Sequence, residues 1–389
     1  MIDIKRVRAD TPACASLLHF DNAGAALMPE PVFQAVEAQL RAERDLGGYE
    51  AARRASAELD AFYTEFAALL NAAPEEIAYV ENATRAWDMA VYALPLVEGD
   101  RIVTHASEYA SNYLAFLHLA KRRGIEIDVA PSDRTGQVDV TALERLVGPR
   151  TKAIALTHVP TQGGLVNPAE EVGEVARRHG LIYVLDACQS VGQIDVDVAR
   201  IGCDVLTGTG RKFLRGPRGT GFLCVRRDLA DRLDPPFIDL RAATWTGDND
   251  YKLAPGARRF ENFESYVAGR IGLACAVRYA RNIGLPAIER RVADLAETLR
   301  RALSEMPGIT VHDLGARTCG IVTFVKEGKD PHEMQATLAA RAMNVSVSAV
   351  EYARLDLARR KTGPLVRASL HYYNTEDEIE RFLCQVRSL

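Results

Sequence analysis

Short apolar runs alternate with helix-like segments along the first two thirds of the chain. The runs are continuous rather than alternating with polar residues, which is typical of strands buried on both faces of a parallel sheet. Helices are predicted between them at Asn112–Arg123 and Pro168–His179. The pattern therefore predicts βαβ units in a doubly wound, mostly parallel α/β sheet. The predicted strands are Arg101–Thr104, Ile125–Val129, Ala153–Val159, Leu181–Ala187, Asp204–Thr207 and Gly221–Val225.

The pattern changes after about residue 255, where long helical segments and a few short strands predict a smaller α+β domain. We therefore predict a large domain over residues 15–257 and a smaller domain formed by residues 1–14 and 258–389. The elements predicted for the smaller domain are a helical region Gly269–Met306 broken at Gly284–Pro286, strands at Ile309–Val311 and Gly320–Val325, and a helix Glu376–Ser388.

Composition and charge exclude several classes of protein. With 48 Lys and Arg against 52 Asp and Glu, the net charge of −4 gives no basic surface for nucleic acid. No apolar run approaches the roughly 18–20 residues of a membrane span, and the first residues lack the apolar core of a signal peptide. The seven cysteines are scattered and form no Cys-x-x-Cys pair, so we expect neither disulfides nor a metal site. We predict a soluble, cytoplasmic protein with no nucleic-acid or membrane partner.

Two residues in the segment Leu181–Val225 could carry chemistry. Asp186 ends a predicted strand, at the edge where parallel sheets bind ligands. Lys212 follows small residues, including Gly210, that allow close approach of a ligand. A desolvated lysine forms Schiff bases, and a carboxylate that holds a pyridine nitrogen protonated is the other half of pyridoxal 5′-phosphate (PLP) chemistry. On spacing alone, a helix-capping aspartate and a solvated surface lysine are the commoner alternatives and stay open.

Three motifs in order extend this interpretation. The sequence has Asp186-Ala187-Cys188-Gln189, then Thr209-Gly210-Arg211-Lys212, then Gly216-Pro217-Arg218-Gly219-Thr220-Gly221. This series resembles the signature of class V aminotransferases and cysteine desulfurases, which are fold-type I PLP-dependent enzymes. The resemblance covers nearly the whole chain and implies an enzyme with the fold-type I architecture.

The resemblance implies a role for each matching residue. Lys212 would be the Schiff-base lysine and the base that removes the substrate Cα proton, and Asp186 would bind the pyridinium nitrogen. Gln189 would contact the phenolic oxygen of PLP, and Tyr109 would replace a histidine that stacks on the ring. Further cofactor contacts, largely to the phosphate, are implied for Asn82, Ala83, Thr84, Thr161, Thr209, Arg211 and Ser265.

The same resemblance implies substrate contacts and a partner. Arg367 matches the arginine that binds the substrate carboxylate in a bidentate manner, and Asn22, Ala23 and Tyr49 are expected near the substrate. The loop that carries Ser265 matches the one that family dimers insert into the neighbouring active site. We therefore predict a homodimer with shared sites that acts on an amino acid as a small-molecule substrate.

The reaction is predicted from a missing residue. Cysteine desulfurases carry a nucleophilic cysteine shortly before the C-terminal arginine, but Val345–Leu365 contains none. Several segments, among them Gly47–Ala52 and Val347–Leu355, look similar to hercynylcysteine sulfoxide lyases. We therefore expect a C–S lyase that eliminates sulfur from a cysteine conjugate or sulfoxide without a persulfide cysteine. An aminotransferase or an amino acid epimerase is the alternative; a cysteine desulfurase ranks lower, and a non-catalytic protein lowest.

Overall fold

The structure is a computed structural model that describes residues 2–389. Its strands are β1 (Leu18–His19), β2 (Ile77–Val80), β3 (Arg101–His105), β4 (Glu126–Ala130), β5 (Thr151–Thr157), β6 (Ile182–Asp186), β7 (Val205–Thr209), β8 (Gly221–Val225), β9 (Ala243–Gly247), β10 (Asp250–Leu253), β11 (Ile309–Val311), β12 (Ile321–Lys326), β13 (Met343–Asn344), β14 (Ser346–Ser348) and β15 (Leu365–Ser369).

Helices connect and cover these strands. They are α1 (Ile4–Ala9), α2 (Asn22–Ala25), α3 (Glu30–Leu46), α4 (Gly48–Arg54), α5 (Ser56–Leu70), α6 (Ala83–Tyr92), α7 (Ala110–Arg123), α8 (Val140–Arg145), α9 (Ala169–His179), α10 (Val198–Ile201), α11 (Arg227–Ala230), α12 (Val267–Ile283), α13 (Leu285–Ser304), α14 (Pro331–Ala339) and α15 (Glu376–Ser388).

The large sheet has seven strands in the order β2-β8-β7-β6-β5-β3-β4. The five strands from β7 to β4 are parallel, whereas β8 runs antiparallel to β7 and β2 antiparallel to β8. The predicted α/β fold is therefore confirmed, with a sheet that is mixed at one edge. The predicted strand Ala153–Val159 begins and ends two residues earlier, at Thr151 and Thr157.

Helices cover both faces of this sheet, which explains the continuous apolar runs. On β6, Tyr183 and Leu185 pack into one core with α5, α9 and α12, while Val184 packs into a second core with α6 and α7. Successive side chains of a strand point to opposite faces, so a strand covered on both sides is apolar at every position.

A second, antiparallel sheet in the order β11-β12-β15-β14 builds the smaller unit, with α13, α14 and α15 packed on it. The short strand β1 pairs in parallel with β13, and its Leu18 belongs to the same core. The proposed boundaries at residues 14 and 257 stay a prediction. Within residues 2–389, no helix combines the length and the apolar character that crossing a bilayer requires.

Parallel register places the chemistry at one edge of the large sheet. Thr157 at the end of β5 lies beside Asp186 at the end of β6, which in turn lies beside Thr207 on β7. The carboxyl ends of neighbouring parallel strands are where α/β sheets bind ligands. This edge therefore holds the candidate site.

Candidate active site

A cavity of about 120 Å³ opens at this edge of the sheet. It brings together all but one of the residues that the sequence assigned to the cofactor. The lining residues are Asn82, Ala83, Thr84, Tyr109, Asn112, Thr157, Val159, Thr161, Asp186, Cys188, Gln189, Thr209, Arg211 and Lys212.

Asp186 is buried at the floor of this cavity with both carboxylate oxygens held. The Cys188 backbone N–H donates to Asp186 Oδ1 over 2.8 Å, and the Asn112 side-chain amide donates to Oδ2 over 2.7 Å. A carboxylate fixed at both oxygens has a defined plane and keeps lone pairs for a ligand. It can therefore accept a hydrogen bond from a protonated ring nitrogen in the cavity.

Lys212 follows β7 and borders the same cavity. Burial, together with the charge of Arg211, lowers the pKa of Lys212 to about 8, although the charge of Asp186 opposes the change. A fraction of its amines is therefore neutral near pH 7, as a nucleophile or base requires. Gly210 must lack a side chain, because a Cβ there would lie 2.3 Å from Thr220 Oγ1.

The start of α6 also lines the cavity. Asn82 is the N-cap, and its side chain accepts from the Arg85 backbone N–H over 2.9 Å. Thr84 is thus in the first turn and is not the capping residue. Free backbone N–H groups at this end and the helix dipole favour an anion such as a phosphate. The guanidinium of Arg211 lies on the same cavity and donates to the Gly24 carbonyl.

Gln189 supplies the clearest sign that a ligand belongs here. Its Nε2 donates to the Ala23 carbonyl over 3.0 Å and to Thr161 Oγ1 over 3.1 Å. Its Oε1 is buried and has no hydrogen-bond partner within residues 2–389. Buried polar atoms normally have partners, so a bound group with polar substituents completes this site. A carboxylate for the ring nitrogen, a helix start for the phosphate and an available lysine fit PLP.

Arg367 on β15 reaches the rim of the cavity from the smaller unit. Its Nη1 donates to Thr161 Oγ1 over 2.7 Å, and its Nη2 forms an ion pair with Asp21 Oδ1 at 3.2 Å. The Nε of Arg367 is buried without a partner in the described part of the chain. A substrate carboxylate that binds this guanidinium would compete with Asp21, a partner that sequence reasoning missed.

Five predicted residues do not line this cavity. Arg367 and Ala23 contact residues that do, since Arg367 donates to Thr161 and the Ala23 carbonyl accepts from Gln189. The other three are placed as follows. Tyr49 and Ser265 line a separate surface cavity of about 820 Å³, together with Glu264. The side-chain amide of Asn22 is used inside the fold, where it donates to the Ser369 carbonyl over 2.7 Å. The roles of these residues toward a cofactor or substrate therefore stay predictions.

Sequence reasoning also missed Asn112 and Glu108. Both are buried, and Asn112 donates to Glu108 Oε1 as well as to Asp186. Glu108 and Asn112 are four residues apart at the start of α7. This spacing could have indicated the contact, since residues four apart are neighbours on a helix.

The cysteines are free, and most are buried. Cys188 lies in the cavity wall, where burial and the charge of Asp186 raise its pKa well above the usual range. Cys319 is 4% exposed, and burial raises its pKa to about 12. A thiolate is the nucleophilic form of cysteine, so neither thiol is activated in this state of the protein.

Comparison with known proteins defines the class of enzyme. The family model "Aminotransferase class-V" matches residues 18–382. A protein of Methanothermobacter thermautotrophicus named "Probable cysteine desulfurase" is 31% identical over 381 residues, which cover 96% of this chain and 95% of the relative. The chain therefore belongs to the class V aminotransferase family of PLP-dependent enzymes.

Solved structures agree with this assignment. The apo structure of a cysteine desulfurase from Thermococcus onnurineus superposes with a TM-score of 0.92 at 29% identity, covering 100% of this chain and 98% of that one. A second structure, titled as a C-DES mutant with glycine covalently linked to the PLP cofactor, has a TM-score of 0.89, covers 98% of this chain and 99% of that one, and at 23% identity shows the shared fold.

These relatives correct the reaction predicted from sequence. The expectation of a persulfide-free C–S lyase is wrong, because the Methanothermobacter relative is named "Probable cysteine desulfurase" and the similar apo structure is that of a cysteine desulfurase. The missing cysteine in Val345–Leu365 is a single feature, and it carries less information about the reaction than similarity along the whole chain. The likeness to hercynylcysteine sulfoxide lyases stays a prediction.

Proposed function

We propose that the protein is a PLP-dependent cysteine desulfurase. In this reaction the Cβ–S bond of L-cysteine breaks, the sulfur forms an S–S bond with an acceptor thiol, and Cβ gains a proton. The products are L-alanine and a persulfide, so atoms and electrons balance without a further oxidant or reductant. The observation that carries the proposal is the 31% identity to a named desulfurase over 96% of the chain.

The residues of the cavity suit the steps before sulfur leaves. PLP, when bound, supplies an electron sink for the electron pair left at the substrate Cα. With PLP in place, Lys212 would accept the Cα proton with its partly neutral amine, and Asp186, held by Asn112, would keep the ring nitrogen protonated. Arg367 orients the substrate through its carboxylate. The start of α6 and Arg211 bind the phosphate.

We further propose a cytoplasmic homodimer with shared active sites. Support comes from the surface around Ser265, where Leu40, Tyr49, Phe263 and Tyr266 are all at least 38% exposed. Clustered exposed aromatic and aliphatic side chains are typical of interfaces. Analytical ultracentrifugation tests the proposal: a dimer at micromolar concentration supports it, and a fully active monomer contradicts it.

Turnover of L-cysteine tests the activity. Holoenzyme is incubated with L-cysteine and an added thiol as the acceptor, and alanine and reducible sulfur are measured together. We expect both products in equal amounts, with none from Lys212→Ala. Arg218→Ala is a suitable control, because this exposed arginine lies outside the cavity and should retain turnover. Pyruvate and ammonia in place of alanine would reject the proposal.

A further inference from the structure

A second carboxylate lies behind Asp186, outside the cavity wall. Glu108 is 4% exposed and sits between β3 and α7. Four groups donate hydrogen bonds to it. These are the Thr104 hydroxyl at 3.0 Å, the Tyr109 backbone N–H at 2.9 Å, the Asn112 amide at 2.9 Å and the Thr157 hydroxyl. Buried carboxylates are usually paired with a basic side chain, whereas the partners of Glu108 are neutral hydrogen-bond donors to both of its oxygens.

Asn112 connects this acid to Asp186. Its amide nitrogen donates one hydrogen bond to Glu108 Oε1 over 2.9 Å and another to Asp186 Oδ2 over 2.7 Å. Both N–H groups are then engaged, so the amide cannot rotate without losing a bond. Because the Cys188 N–H holds the other oxygen of Asp186, the carboxylate plane is fixed from two sides.

The two acids also influence each other by charge. Burial, together with the negative charge of Asp186, raises the pKa of Glu108 to about 7, although its hydrogen-bond donors favour the ionised form. The other groups in contact with Glu108 are neutral hydroxyls and amides from β3, β5 and α7. A positive charge placed at Asp186 would relieve the repulsion, and by linkage the two carboxylates would hold that positive charge more tightly.

We propose that Glu108 is a positioning residue, which acts through Asn112 to orient Asp186 and adds a second negative charge behind the ring nitrogen of PLP. The proposal rests on PLP binding in the proposed function and is independent of the fate of the sulfur. Glu108 and Asn112 near the start of α7 would then influence the charge on the PLP ring. Of the residues in this segment, the sequence had assigned only Tyr109 to the cofactor.

The test is the protonation of the ring nitrogen itself. Apoenzyme is reconstituted with PLP carrying ¹⁵N in the ring, and its ¹⁵N chemical shift is followed from pH 7 to pH 10. In Glu108→Gln we expect the nitrogen to lose its proton about one pH unit earlier than in the wild type, because one negative charge is gone. The dissociation constant of PLP should rise roughly tenfold with it. The glutamine amide fits, since the Thr104 hydroxyl can accept where it now donates.

Two further variants separate positioning from loss of structure. Asn112→Ala should shift the ¹⁵N titration in the same direction, and the double variant should shift it by less than the sum, because both substitutions break one connection. Asp204→Asn makes the same carboxyl-to-amide change at a buried residue just before β7, at the amino end of that strand and so away from the cavity. It should leave the titration unchanged.

An unchanged ¹⁵N titration in both Glu108→Gln and Asn112→Ala would overturn the proposal. So would an equal shift in Asp204→Asn, which would mean a general effect of buried-charge removal. If Glu108→Gln does not fold, Glu108→Ala takes its place, because Asn112 also donates to Asp186 directly and its variant alone does not isolate Glu108. Failure of L-cysteine turnover would reject the desulfurase activity and leave this result standing, whereas a wild-type chain that binds no PLP would reject both.

Discussion

Replacing Lys212 should stabilise the cofactor-free protein. Burial lowers the pKa of Lys212 from 10.5 to about 8, so folding must remove solvent from a charged amine at neutral pH. The difference of about 2.5 between the two pKa values corresponds to about 3.5 kcal/mol, at about 1.4 kcal/mol for each pH unit. We expect Lys212→Met to raise the free energy of unfolding of the apoenzyme by up to about that amount at pH 7.

The pH dependence identifies the cause of this stabilisation. Below pH 8 the lysine is charged in both the folded and the unfolded chain, so the full cost applies. Between about pH 8 and 10.5 the folded chain has lost the proton that the unfolded chain still binds, and the cost falls by about 1.4 kcal/mol per unit. The advantage of Lys212→Met should therefore shrink as the pH rises through this window.

Urea unfolding of apoenzyme at pH 7.0, 8.5 and 9.5 measures the difference directly. Lys152→Met, at an exposed lysine on β5, controls for the substitution itself. An advantage that does not change with pH would refute the electrostatic reasoning, and so would a Lys212→Met protein that is less stable than the wild type at pH 7.

Three other substitutions test separate parts of the site. Asp186→Asn should lower kcat at least roughly 100-fold with PLP still bound, because the ring nitrogen loses its anionic partner; a kcat near that of the wild type would contradict this. Arg367→Lys should raise KM for L-cysteine by roughly tenfold or more, since lysine cannot bind a carboxylate with two parallel bonds, and an unchanged KM in steady-state kinetics would remove Arg367 from the substrate site. Thr84→Val should raise the dissociation constant of PLP roughly fivefold in fluorescence titrations while pyridoxal binding stays constant; equal effects on both ligands would exclude a phosphate contact.

The core of the fold was predictable because it follows from local pattern. The apolar run of β6 reflects burial on both faces, and Asp186 at its end marks the ligand edge. The antiparallel pairing of β2 with β8 was not predictable in this way, because only four residues, Ile77–Val80, form that strand. Partner choice in a sheet depends on tertiary contacts that short strands do not encode.

The site, like the fold, has residues that the sequence predicted and residues that it did not. Motifs located the groups in direct reach of a ligand, such as Lys212 and Gln189, because their spacing is fixed by the strands and turns that carry them. They did not locate Glu108, which acts from behind the wall and is visible only through its contacts. Tyr49 and Ser265 line a separate surface cavity, and motif spacing alone did not reveal that they lie apart from the other predicted residues.

The fate of the carbon skeleton of L-cysteine tests the central claim most directly. With ¹³C-labelled L-cysteine, PLP-loaded protein and an added thiol, NMR distinguishes labelled alanine from labelled pyruvate in one sample. The desulfurase assignment predicts alanine as the labelled product, matched one to one by sulfur released as persulfide. Labelled pyruvate with free sulfide, or cysteine recovered unchanged by a fully loaded enzyme, would contradict it.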